Sequence, residues 1–377
     1  MPLVRFPCPL VVAIPVRNEA ERIGPCLRAL ADQQRACLTH AVLLLNNCTD
    51  DTAHCVQALA AQLPFGISIA TRLYPPDVAH AGTARREAME IAAELAGPDG
   101  VLLTTDADAV PATDWLVNTL ASLARGADAV CGRALIDPMD ALLIPAHLHR
   151  DDAAEIAYAT LLDHIHDLVD PDPHDPWPRH TEHSGASIAV RASAWQRAGG
   201  IPALSLGEDR AFLAALRRVD AIIRHAPDVT VTVSGRTAGR ARGGMADTMA
   251  RRLIRQDEML DDSLEPAMHC LRRARARAAL RRLRIRPRTG DERMTAEKQL
   301  ADYLHVGVQD VAHMAKERFF GMAWEKLEIA SPLLVHVPVK RADLPMQHRM
   351  AERIVCGLLS PAPSSSLIPT ASPPNGR

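Results

Sequence analysis

The chain has 377 residues, 47% of them apolar and 23% charged, with a net charge of −2 and only 3% aromatic side chains. A chain of this length buries roughly three quarters of its unfolded surface, enough for one large domain and a smaller one. A charge this close to zero sets up no field for nucleic acid, and so few aromatic rings leave no platform on which bases stack, so no nucleic-acid partner is expected.

Eight cysteines are scattered without a C-x-x-C pair, the pattern of reduced, buried thiols in a cytoplasmic protein. The apolar run at 10–14 is of strand length and lacks the flanks of a signal peptide, and no run approaches the roughly 20 apolar residues that span a bilayer. No transmembrane segment is expected.

In chain order, apolar strand-like runs at 10–14, 41–45, 67–73, 101–104 and 127–131 alternate with helical patterns at 18–33, 50–61, 80–95 and 115–124. Strands without clean polar alternation, separated by helices, predict a parallel sheet covered on both faces. Further on come a helix at 151–167, a Pro/Asp/His-rich loop at 170–183, strands at 187–190 and 229–233, and a helix at 208–219 between them. Beyond Gly244 the pattern is helical and arginine-rich, and the Pro/Ser-rich stretch 361–377 reads as a disordered tail. The expected domains are 1–245, then a mainly helical region over 246–360.

In such sheets ligands bind beyond the carboxyl ends of the strands. The segments that fall there are Pro15-Val-Arg-Asn-Glu19, Asn46-Asn-Cys-Thr-Asp50 and Asp106-Ala-Asp108. None carries a dinucleotide or P-loop glycine pattern. Asp106 and Asp108 stand two apart at a strand end, so a continued strand sends both carboxylates to one side. They repel unless a cation lies beside them. Mg²⁺ or Mn²⁺, its shell completed by a nucleotide diphosphate, meets that need. The alternative is a turn in which the aspartates cap the following helix.

Five segments together resemble family 2 glycosyltransferases with the GT-A fold. They are Val11-Val-Ala-Ile-Pro-Val-Arg-Asn-Glu19, Leu43-Leu-Leu-Asn-Asn-Cys-Thr-Asp-Asp-Thr52, Leu103-Thr-Thr-Asp-Ala-Asp-Ala-Val-Pro111, His183-Ser-Gly-Ala-Ser-Ile-Ala-Val-Arg191 and Gly207-Glu-Asp-Arg210. They occur in that family's order over residues 8–245. The resemblance implies an α/β fold, a GT-A type nucleotide-binding mixed sheet flanked by helices, with the helical C-terminal region outside it. It implies a metal-dependent, inverting glycosyltransferase that moves a sugar from a UDP- or GDP-linked donor to a hydroxyl acceptor that the sequence leaves unnamed. It places Pro15, Arg17 and Glu19 against the nucleoside, Asn47 at the base, Arg85 at the nucleotide, and Asp106 at the ribose or a metal-bound water. Asp108 becomes the metal ligand and Asp209 the general base, with Glu208 beside it. Asn46-Asn47 stands where the family usually has two aspartates, and an amide still offers a base both a donor and an acceptor. Arg17 replaces a commoner tyrosine, which makes guanidinium stacking the expectation there.

Ser234-Gly-Arg-Thr-Ala-Gly-Arg-Ala-Arg-Gly-Gly244 offers Arg236 and Arg240 to a diphosphate, or is simply a basic loop. His183, Ser184, Gly185 and His225 are the candidates on the acceptor side. Two H-x-H pairs within 147–183 raise zinc, but His164 and His166 do not share a helix face, and solvated loop histidines or an acceptor loop at 170–183 are preferred. Nine arginines within 272–288 suit a solvated helix paired with acids such as Asp261 and Asp262. Two rival readings stay open: a nucleotidyltransferase on a similar sheet, and a non-catalytic scaffold with a basic RNA- or membrane-binding arm.

Overall fold

A computed structural model describes residues 7–236, 245–254, 257–285 and 289–360, with the side chains of 245–249 excepted. Arg240 and the expected tail at 361–377 lie outside the described residues.

The chain begins with β1 (Leu10–Val16), α1 (Ile23–Ala31), β2 (His40–Asn46), α2 (Thr52–Ala60), β3 (Gly66–Arg72) and α3 (Ala81–Ala96). It continues through β4 (Val101–Thr104), β5 (Val110–Pro111), α4 (Trp115–Ala124), β6 (Ala129–Ile136), α5 (Pro138–Ala141) and α6 (Ala146–Val169). Then follow β7 (Ile188–Arg191), α7 (Ala192–Ala198), α8 (Glu208–Arg218), β8 (Ile223–Val233) and α9 (Met245–Ile254). The rest is helical: α10 (Ala267–Ile285), α11 (Gly290–Leu304), α12 (Val308–Met314), α13 (Phe320–Ala330) and α14 (Leu344–Leu359).

The eight strands form one sheet in the order β3-β2-β1-β4-β7-β6-β8-β5. β3, β2, β1 and β4 are mutually parallel, as the alternating pattern predicts. β7 enters antiparallel to both β4 and β6, so the sheet is mixed. Both faces are covered. In β1, Leu10, Val12, Ile14 and Val16 pack on one face while Val11 and Ala13 pack on the other, and β2 divides in the same way. Each large aliphatic side chain so buried contributes about 1.5–3 kcal/mol.

One boundary differs where it matters. The helix expected from 18 starts at Ile23, because Asn18 takes a left-handed φ of 53° and the Glu19 carbonyl accepts from the amides of Arg22 and Ile23 at 3.0 and 2.9 Å. Residues 17–22 therefore form a loop at the carboxyl end of β1.

The chain divides into two compact units. Among the described residues, the first comprises 7–148, 178–217, 221–236 and 245–254, and the second 149–177, 218–220, 257–285 and 289–360. The second unit is helical. α10 buries Ala274 and Ala278 against α6 and α14, and Ala276, Leu280 and Leu283 against α11, α12 and α13. Among its arginines, Arg273 pairs with Glu265 and Glu328, and Arg277 and Arg281 pair with Asp170. Among the described residues no helix is long and apolar enough to cross a membrane.

Candidate active site

Arg85 is the hub. It projects from the second turn of α3 and is only 6% exposed. Its Nη2 donates to Asp106 Oδ1 at 2.6 Å and its Nε to Glu208 Oε1 at 3.1 Å. Its Nη1 donates to the Thr104 hydroxyl and the Gly185 carbonyl, each at 2.8 Å. One guanidinium thus ties the end of β4, the start of α8 and the turn before β7 together. Burial works against its charge, but Asp106 and Glu208 outweigh it and hold Arg85 more basic than an ordinary arginine.

A second guanidinium closes the other side. Arg236, just past β8, grips Glu19 through Nη1 at 3.0 Å and Nη2 at 2.6 Å, and its Nη2 lies 3.2 Å from Asp108 Oδ2. Burial, then the charge of Asp106, push the Asp108 carboxyl up to about 6. Arg236 opposes that rise and Glu19 adds to it. Two acids two residues apart therefore have different surroundings. Asp106 is locked to Arg85, and Asp108 remains electrostatically frustrated beside Arg236.

Asp209, in the first turn of α8, accepts from the Gly185 amide through Oδ2 at 3.1 Å and from the Arg210 amide through Oδ1 at 2.7 Å. It has no ion pair among the described residues, whereas its neighbour Glu208 is spent on Arg85. On the same side, His183 and His225 lie with ring centroids 5.4 Å apart, and Arg217 Nη2 stands 3.0 Å from His183 and 3.4 Å from His225. Burial, then Arg217 and His225, hold the His183 ring neutral, its pKa down to about 2.

The predicted residues thus fall into two groups. Glu19, Arg85, Asp106, Asp108, Ser184, Gly185, Glu208, Asp209 and Arg236 belong to one network or its immediate neighbours, with His183 and His225 joined through Arg217. Pro15 lies in β1, and the loop after it turns Arg17 to the Ala79 carbonyl at 2.8 Å. Asn47, expected at the base, is bonded to the main chain. Its Nδ2 donates to the Tyr74 carbonyl at 2.9 Å and its Oδ1 accepts from the Tyr74 amide at 3.0 Å, which leaves the amide one N–H and one lone pair.

The residue missed is Asn46. It is 2% exposed at the end of β2, its Nδ2 donates to the His80 carbonyl at 3.3 Å, and its Oδ1 is buried without a partner. Such an orphaned acceptor costs stability unless a ligand supplies a donor. The Asn-Asn pair flagged the place. The φ of 50° at Asn47 accompanies the turn of that side chain onto Tyr74, whereas Asn46 keeps an unpartnered oxygen.

A carboxylate and guanidinium network thus stands at the carboxyl ends of the strands of a mixed sheet, where ligands bind in α/β folds. Residues 11–175 match the model of glycosyl transferase family 2. No curated protein matches the chain. Similar solved structures include the mannosyltransferase PcManGT from Pyrobaculum calidifontis in complex with GDP-Man and Mn²⁺, at 18% identity, 93% of this chain and 87% of that one, with a TM-score of 0.42. TarS 1–349 from S. aureus is 13% identical over 93% of this chain and 88% of that one, with a TM-score of 0.43. Glucosyl-3-phosphoglycerate synthase from Mycobacterium tuberculosis, in complex with Mn²⁺, UDP-Glc and phosphoglyceric acid, is 16% identical over 66% of this chain and 78% of that one, at 0.39.

Proposed function

We infer that the sheet-bearing unit transfers a glycosyl group from a nucleoside diphosphate sugar to an acceptor hydroxyl with inversion, and that Asp209 is the base. The helical residues over 246–360 lie outside that chemistry in this reading. The observation that carries it is the division of labour among four carboxylates. Arg85 neutralises Asp106 and Glu208, which leaves Asp108 for a cation and Asp209 for a proton.

The orphaned Asn46 Oδ1 supports a ligand that presents an N–H at this place, as a nucleobase does through a ring N–H or an exocyclic amino group. Arg236 releases Asp108 and turns to the diphosphate as the donor arrives. Asp108, with Asp106, suits Mg²⁺ or Mn²⁺, hard ions that protein sites hold through one or two carboxylates plus substrate phosphates. Burial, and after it the charge of Asp106, raise the Asp108 pKa, and a cation at this carboxylate would offset both. When bound, the cation offsets the charge that gathers on the departing diphosphate. The acceptor oxygen attacks the anomeric carbon as its proton passes to Asp209, and the bond from that carbon to the diphosphate oxygen breaks on the opposite face.

The test is a panel of UDP- and GDP-sugars with Mn²⁺, read by thermal shift and by release of free nucleotide. Stabilisation by one of the two nucleotide classes, lost with EDTA and in Asp108→Asn, is expected. Equal stabilisation by ADP, or full turnover in chelator, overturns the assignment.

A further inference from the structure

The helical unit holds a cluster with no part in sugar transfer. His166 lies in the last turn of α6, Glu265 two residues before α10, and Cys270 in the first turn of α10. We propose that His166, Glu265 and Cys270 form a divalent-metal site of the zinc type.

The ring nitrogen, carboxylate oxygen and thiol sulfur all lie within 4.8 Å of one another, the one such group of three among the described residues. Metal–ligand lengths of about 2.0–2.3 Å in a tetrahedral zinc site put ligand atoms about 3.3–3.8 Å apart, so closure on an ion asks for side-chain shifts of about 1 Å. One nitrogen, one sulfur and one oxygen make a donor set for a borderline-soft ion rather than for Mg²⁺ or Ca²⁺.

Each group already has the form a metal needs, or reaches it by losing one proton. Burial, then Arg277, hold the His166 ring down to about 4, so it is neutral, and it makes no hydrogen bond among the described residues. Glu265 is 7% exposed and oriented by neighbours: its Oε2 accepts from His269 Nδ1 at 2.7 Å and Arg273 Nε at 3.1 Å. Second-shell bonds of this kind fix ligating carboxylates in known metal sites. Cys270 is fully buried, and its thiol points to the Leu162 carbonyl at 3.4 Å. Burial and Glu265 keep it protonated. An entering M²⁺ displaces that proton to solvent and leaves a metal bound by one thiolate, one carboxylate and one neutral imidazole. The site gains one positive charge, which faces Arg273 and Arg277 but also Asp163 and Asp170.

Packing alone explains one buried cysteine. It does not explain an unbonded imidazole and a carboxylate converging on that sulfur within an aliphatic cluster of Leu162, Ile165 and Leu271. His164 plays no part. It stacks on Trp177 at 4.4 Å and 7°, so the two histidines of the H-x-H pair face different ways, as their spacing predicts.

The test is titration of the metal-free, full-length chain with Co²⁺. A tetrahedral site with sulfur gives a near-ultraviolet thiolate-to-cobalt charge-transfer band, which an oxygen-only site at Asp106 and Asp108 does not. The band is expected at one Co²⁺ per chain in the native protein and in Asp108→Asn, absent in Cys270→Ser, and at least about tenfold weaker in apparent affinity in His166→Gln. Zn²⁺ should abolish it stoichiometrically. Failure of the native chain to give the band with Co²⁺ in excess overturns the proposal, whatever the variants do. A band that survives Cys270→Ser overturns it equally.

Discussion

The Nε of Arg85 donates to Oε1 of Glu208 at 3.1 Å, across 123 residues of chain, and both side chains are nearly sealed from solvent. Within the acidic pair of α8, the first acid is therefore a counter-ion of Arg85, and the second has no ion pair among the described residues.

Breaking that pair from the arginine side should cost more than breaking it from the acid side. Arg85→Leu strands Glu208 and Asp106 without their common partner, and removing one member of a buried pair typically costs about 3–5 kcal/mol. Glu208→Gln keeps a neutral acceptor for the guanidinium and should cost less. Urea unfolding of both variants checks the order, and a smaller loss in Arg85→Leu contradicts the hub.

Asp209→Asn retains the shape of the side chain but not its basicity. It should lower kcat about 10²–10⁴-fold while donor affinity, read by calorimetry, changes little. Wild-type kcat in this variant, or loss confined to Glu208→Gln, assigns the base elsewhere.

Gly185→Ala probes the site without touching a charge. A Cβ there would sit 2.6 Å from the Arg85 guanidinium carbon, and that guanidinium is pinned by four hydrogen bonds. The substitution should displace Arg85 from Asp106, weaken donor binding about tenfold or more, and cost about 1–3 kcal/mol of stability. An unchanged donor Kd shows that the network tolerates displacement.

The buried imidazole of His183 predicts a pH dependence with a definite sign. Its folded pKa of about 2 lies below the unfolded value, so the unfolded chain alone takes up a proton as pH falls below about 6.5. The stability it contributes is fully present above that value and is lost progressively as pH falls towards 2. His183→Gln should therefore lose less stability than the native chain between about pH 7 and about pH 4.5, by a slope of about one proton. Parallel profiles show that His183 titrates normally.

Much of the site was legible in the sequence because it lies where strand ends put it. The apolar runs set β1, β2 and β4, and the residues after them had to stand at the carboxyl edge of the sheet, whatever the packing. Asp106, Asp108 and Glu19 were found on that ground. Arg85, Glu208 and Asp209 were found by family resemblance alone.

What the linear pattern by itself determined is the parallel half of the sheet, its burial on both faces, and the acidic character of its edge. These follow from local periodicity and strand-end geometry. Only the tertiary structure decided which groups are spent and which remain. Asn47 turns into Tyr74 while Asn46 keeps an orphaned oxygen, Glu208 is consumed by Arg85, Arg236 reaches back across 217 residues to Glu19, and Cys270 meets His166 from another helix. A hydrogen bond or ion pair between distant positions leaves no periodic trace in the chain, because its energy depends on separation in space and on exclusion of water, and both are set only when the elements pack.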